Sequence, residues 1–177
     1  MTDSPAEILP GTPPAAAVVR WFVAHVRPRC EKKLAEFCER EQFEVCLPCY
    51  SSERKYLRKK VTFQKPLFPG YVFLRIADLH KTKVVQSDYV ANLLKVEDQE
   101  LFIRQLQDIL RALETGLDIQ LIPQIGIGCR VKIKSGPLEG MDGWVEKRHG
   151  FSVVLLRLDF IGQAAAVKLD ASQLELI

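Results

Sequence analysis

Cys46-Leu47-Pro48-Cys49 places two potentially reactive side chains at a spacing that chemistry uses. Two thiols separated by two residues suit a redox disulfide or half of a zinc site. A redox pair needs a helix N-terminus to lower a thiol pKa, whereas the flanking Phe43, Val45, Leu47 and Tyr50 pattern as a strand. A zinc site needs a second ligand pair. Cys30 and Cys38 lie eight residues apart on a predicted helix, and His25 and His80 have no ligand spacing. The three histidines, His25, His80 and His149, fall in a strand, a helix and a turn, with no acid or thiol placed to complete a catalytic set. These residues point away from an enzyme and away from a metal or other cofactor. Five cysteines, an odd number, argue against a disulfide framework, so buried reduced thiols are expected.

Chemistry of another kind is written in Pro66-Leu67-Phe68-Pro69-Gly70-Tyr71-Val72-Phe73. Two prolines and a glycine mark a turn that feeds directly into a strand. Side chains alternate along a strand, so Val72, Leu74 and Ile76 share an aliphatic face while Tyr71, Phe73 and Arg75 share the other. Rings on the second face of a sheet form either a second core layer or a docking surface, and the residues alone leave both open. Just upstream, Arg54, Lys55, Arg58, Lys59, Lys60 and Lys65 form a run of six bases without an acid, in a chain whose formal net charge is only +3. Such a stripe is either an edge that faces a polyanion or a solvated edge strand guarded by lysines.

The elements that hold these residues follow from periodicity. Residues 1–19, with Pro5, Pro10, Pro13 and Pro14, read as a flexible tail without the basic start and apolar block of a leader. No run approaches the roughly 20 apolar residues that span a bilayer. The chain is expected to be cytoplasmic, monomeric and free of membrane contact. Arg20–Val26 predicts a strand, and Pro28–Gln42 an amphipathic helix with Cys30, Leu34, Phe37 and Cys38 on one face. Strands follow at Phe43–Tyr50, 54–64 (a basic strand or hairpin arm), Tyr71–Ile76 and Tyr89–Val96, with a short helix over Asp78–Gln86 and a long one over Asp98–Glu114. The expected fold class is α+β: an antiparallel sheet packed with helices over residues 20–115, a linker at 116–126 and a small all-β barrel at 127–177. The barrel rests on short apolar bursts at Val131/Ile133, Trp144/Val145, Val153–Leu158, Ala164–Leu169 and Leu174–Ile177, separated by glycine-bearing turns.

Gly128-Cys-Arg-Val-Lys-Ile-Lys-Ser-Gly-Pro-Leu-Glu-Gly-Met-Asp-Gly-Trp-Val145 resembles the KOW motif, a glycine-punctuated hairpin of an SH3-like barrel. Phe68-Pro-Gly-Tyr-Val-Phe73, preceded by Trp21-Phe22-Val23 and an amphipathic helix, resembles the NusG N-terminal domain. Together they make the chain similar to the NusG family from Arg20 to Ile177. The resemblance implies a non-enzymatic factor whose N-terminal domain docks on the clamp helices of RNA polymerase and suppresses pausing or termination. It also implies a KOW domain that recruits a second partner, the ribosomal protein NusE or the termination factor Rho. Carried over by position, the polymerase contacts are Phe68, Pro69, Tyr71 and Phe73, on a ring-bearing face left uncovered. Phe160, Ile161, Gly162 and Gln163 form the loop for the KOW partner, with Gln163 standing where the family often has Arg. Arg27, Arg29, Lys32 and Lys33 sit where they would track the phosphates of the non-template DNA strand.

Pro66-Leu67 ahead of the turn resembles RfaH-type paralogues, and Val90–Asp98 runs straight through where housekeeping NusG usually has a Gly-Gly and Pro-rich stretch, so the resemblance implies an operon-selective elongation or antitermination factor. Housekeeping NusG acting with Rho, and a KOW-containing ribosome- or RNA-binding protein, are the alternatives. A refolding of the barrel into helices is not expected. Gly136, Pro137, Gly140, Gly143 and Gly150 would lie inside those helices, at about 1 kcal/mol per glycine and about 3 for proline.

Overall fold

The computed structural model describes residues 17–56, 59–117, 119–123, 128–148 and 151–177. Residues 1–16 of the expected tail and the turn at His149-Gly150 lie outside them. The N-terminal half is built on a four-stranded antiparallel sheet in the order β2 (Glu44–Cys46), β5 (Tyr71–Ala77), β1 (Val19–Val26), β6 (Val90–Lys95). Strand alternation divides its side chains into two cores. Phe22, Ala24, Val26, Val72, Leu74 and Ile76 pack against Leu34 and Cys38 of helix α1 (Glu31–Arg40) and Val84 of helix α2 (Lys81–Val85). Trp21, Val23, Tyr71 and Phe73 face the other way, into a cluster with Phe102, Leu106, Ile109 and Ala112 of helix α3 (Gln99–Glu114).

Helix α1 starts at Glu31, three residues later than Pro28 suggests, because Arg29 adopts φ 62° and the Cys30 N–H closes a turn on the Arg27 carbonyl (3.1 Å). Helix α3 begins at a side-chain cap, the Leu101 N–H donating to Asp98 Oδ1 (2.9 Å). Its first residue also completes the sheet. Strand β6 ends opposite Phe22, and the Gln99 amide takes over as the partner of Trp21: the Trp21 N–H donates to Gln99 Oε1 (2.7 Å) and Gln99 Nε2 donates to the Trp21 carbonyl (3.0 Å).

The single strand expected over Phe43–Tyr50 is two. Pro48 has no N–H for a ladder, and its carbonyl instead accepts from the Leu67 N–H (2.7 Å). Beyond it, β3 (Cys49–Tyr56) and β4 (Lys59–Pro66) pair only with each other as a separate ribbon.

The C-terminal half is an antiparallel sheet in the order β12 (Leu174–Leu176), β8 (Cys129–Ile133), β9 (Asp142–Arg148), β10 (Phe151–Leu158), β11 (Gln163–Leu169), β7 (Ile119–Pro123). Two expectations change here. The sheet is open, with β12 and β7 as its outer strands, where a closed SH3-like barrel was anticipated. Residues 119–123, assigned to the linker, form a sixth strand, because the free edge of β11 offers ladder partners from Gln163↔Pro123 to Val167↔Ile119. The glycine-punctuated stretch is a hairpin, as its resemblance implied. Gly143 is obligatory within it, since a Cβ there would lie 2.4 Å from Val154 Cγ1 and 3.2 Å from the Leu155 carbonyl oxygen.

A single core joins the halves. Phe102 lies 5.6 Å from Phe73, 6.0 Å from Trp21 and 6.2 Å from Phe160, centroid to centroid. The same cluster runs on through Val154, Leu156 and Leu158 of β10 to Val131 and Ile133 of β8. Helix α3 is therefore a shared layer, with the ring-bearing sheet face on one side and the C-terminal sheet on the other. Phe102→Ala is expected to lower unfolding stability by about 3–5 kcal/mol, measured by urea denaturation. A loss within the range of surface substitutions would show that the ring is not a shared core residue.

Candidate functional site

The Phe68–Tyr71 segment turns tightly at the end of β1. The Tyr71 N–H donates to the Phe68 carbonyl (3.1 Å), and the Val26 N–H donates to the Gly70 carbonyl (2.9 Å). Gly70 sits at φ +87°, a conformation that side chains rarely tolerate, and its N–H donates to Glu31 Oε1 (2.8 Å) at the start of α1. The turn is thus held from three sides. Pro69 is exposed on it, Tyr71 is half-buried, and the exposed His25 ring lies 5.3 Å from the Tyr71 ring.

Two of the four expected polymerase contacts are elsewhere than anticipated. Phe68 and Phe73 are 1% and 0% exposed. They stack edge to face at 5.9 Å, and Phe73 meets Phe102. The expectation of an uncovered ring face is corrected at these positions, and the reason is geometric. Helix α3 carries an apolar stripe that needs a surface, the aliphatic face is already taken by α1 and α2, and the ring-bearing face is what remains. The stripe of Phe102, Leu106 and Ile109 was visible in the sequence and was the available signal.

Arg27 and Arg29 are exposed in the loop between β1 and α1, the element whose Glu31 holds Gly70, so they share the end of the sheet with Pro69 and Tyr71. Lys32 is exposed on the first turn of α1, and its charge acts on the Cys49 thiol. Lys33 parts from this group, lining a shallow depression with Glu36, Glu39, Arg40 and Tyr89.

The Phe160–Gln163 loop is seated on α3. Asp159–Ile161 form a single 3-10 turn ended by Gly162 at φ +62°. Gln105 of α3 clasps it: Gln105 Nε2 donates to Asp159 Oδ2 (2.6 Å) and the Asp159 N–H donates to Gln105 Oε1 (3.1 Å). Ile161 packs on the shared core, whereas Phe160 retains 37% exposure. Gln163 Oε1 is buried with no hydrogen-bond donor among the described residues. Of the two apolar side chains expected at the surface, Phe160 stays partly accessible with its ring against Phe102 of α3, and Ile161 is half-buried on the shared core.

Cys46 and Cys49 fall on strands β2 and β3, neither of them on a helix. Burial pushes the Cys46 thiol up to about 11 and raises Cys49 as well, against a small lowering by Lys32. Burial likewise pushes the Cys38 thiol up to about 12. These are protonated, poorly nucleophilic thiols. Among the described residues no cluster of His, Cys, Asp and Glu could hold a metal ion. Because the folded state holds these protons more tightly than an ordinary thiol at 9.0, their contribution to stability is full below pH 9 and is lost as pH rises through 11 and 12. The urea midpoint should therefore fall progressively above pH 9, with a shallower fall in Cys38→Ala. An identical alkaline slope in the variant would contradict the assignment.

The pinned aromatic turn thus lies at one end of the sheet of an α+β unit, which a small all-β unit follows. Residues 19–123 match the family model described as transcription termination factor NusG, more than half of the chain, and the chain belongs to the NusG family. No curated protein matches it. Membership makes it a transcription factor related to elongation or termination, in a family that is generally non-enzymatic and binds RNA polymerase. The matched span ends with β7, so the C-terminal sheet lies almost wholly beyond it. Among the described residues no helix is long and apolar enough to cross a membrane.

Proposed function

We propose that the chain is an elongation and antitermination factor that docks on the clamp helices of RNA polymerase through its N-terminal half. The observation that carries this reading is the pinned turn. Pro69 and Tyr71 stand at the surface on backbone fixed by Glu31 and Val26, within the span that matches the family. A rigid aromatic anchor gives contact area at low entropic cost, and the phenol keeps a polar tip for a hydrogen bond at the rim of an interface. Phe68 and Phe73 act beneath it, as the packed floor that sets the position of Tyr71.

The exposed Arg27, Arg29 and Lys32 beside the turn are placed to follow the phosphates of a displaced non-template strand, a contact that would weaken steeply with salt. Phe160–Gln163 serve a second partner, NusE or Rho, and engage it fully once the loop leaves α3. Pro66-Leu67 before the turn supports an operon-selective factor.

Tyr71→Ala should reduce binding to RNA polymerase by roughly 30-fold, the loss of about 2 kcal/mol expected for an aromatic anchor at the centre of an interface, with circular dichroism unchanged. Polymerase binding of Tyr71→Ala within twofold of the native chain, on the order of the 0.4 kcal/mol of an energetically neutral contact, would contradict the reading.

A further inference from the structure

The β3–β4 ribbon is the part of the molecule that the polymerase reading leaves without work. It pairs with no other strand, and from Arg54 to Gln64 every side chain the structure describes is exposed. Cross-strand partners share a face, so the register fixes what each face carries. Glu53↔Thr62, Lys55↔Lys60 and Ser51↔Gln64 lie on one side, and this side is partly satisfied internally, by Lys60–Glu53 (3.5 Å) and by Gln64 Nε2 donating to Ser51 Oγ (2.7 Å). Arg54↔Val61, Ser52↔Phe63 and Tyr50↔Lys65 lie on the other, together with Lys59. There Val61 and Phe63, 37% and 39% exposed, are flanked by Arg54, Lys59 and Lys65, none of which has an acidic partner among the described residues.

The geometry points to a duplex-DNA arm: the ribbon lays its Arg54/Val61/Phe63/Lys59 face along a DNA groove and holds the flanking phosphates with its bases. Three considerations favour this occupant over others. The described part of the ribbon carries Arg54, Lys55, Lys59, Lys60 and Lys65 against the single acid Glu53, which is itself paired, so a polyanion complements it. A two-stranded antiparallel ribbon fits the major groove of B-form DNA, about 12 Å wide. The major groove of an A-form RNA helix is too deep and narrow to admit one. A single strand would be bound by a row of exposed rings for base stacking; on this face Tyr50 is half-buried against the core, which leaves Phe63 as the exposed ring among the described residues. Arms of eight residues reach about 26 Å at roughly 3.3 Å per residue, most of one turn of the double helix. The bases supply affinity without reading sequence, while Val61 and Phe63 add apolar contact with groove walls and thymine methyl groups.

The test is fluorescence anisotropy of the full chain with a labelled mixed-sequence DNA duplex over a salt series, with double-stranded and single-stranded RNA of the same sequence as parallel arms. Arg54→Glu combined with Lys59→Glu should weaken duplex DNA binding by about tenfold or more and flatten the salt dependence by roughly two phosphate contacts. Phe63→Ser should weaken binding with the salt slope unchanged, and Lys168→Glu, a charge reversal at an exposed position of β11, should leave binding unaltered. The ribbon variants should still bind RNA polymerase, which separates this arm from the Tyr71 contact. Tighter binding of either RNA than of duplex DNA would overturn the inference. So would duplex binding that is indifferent to Arg54 and Lys59, or that falls equally with Lys168→Glu.

Discussion

The packing of Phe102 between two sheets is the constraint from which the rest of this architecture follows. One ring contacts Trp21 and Phe73 on the N-terminal side and Phe160 on the C-terminal side. Aromatic pairs in tilted or edge-to-face geometry contribute about 0.5–1.5 kcal/mol each beyond their burial, so the stack orients as well as binds. Because α3 occupies the ring-bearing face, the turn at Pro69–Tyr71 is what that face leaves at the surface, at its margin. Because the other side of α3 is also apolar, the C-terminal sheet comes to rest there and brings the Phe160 loop with it.

Surface chemistry is correspondingly distributed to the ends and edges of the sheets. The Gly70 turn, His25, Arg27 and Arg29 gather where β1 passes into α1. The basic ribbon leaves the sheet at Pro48, where the missing N–H ends one pairing and frees the chain to begin another. Gln105 and Asp159 stitch α3 to the loop with a reciprocal pair of hydrogen bonds at the surface, a modest contact of about 1 kcal/mol per bond.

The sequence made the elements legible wherever one periodicity dominated. Helix α3 was readable from its Phe102, Leu106, Ile109 stripe, and β5 from the alternation after Gly70. The packing of those elements was harder to read, because a stripe says that a face must be buried and not against what. That is why Phe68 and Phe73 were expected at a docking surface. The same ambiguity hid β7: Ile119–Pro123 is short and apolar, equally compatible with a linker and an edge strand, and the free edge of β11 decides it. The cysteines were easier, since their strand setting already denied them the helix N-terminus that a reactive thiol requires.

The shared ring stack can be observed directly in the free chain by nuclear Overhauser spectroscopy on protein with labelled phenylalanine. The account predicts cross-peaks from Phe102 to both Phe73 and Phe160. Cross-peaks to Phe73 alone, with the Phe160 ring averaged as in solvent, would contradict it, because α3 would then cover one sheet rather than join two.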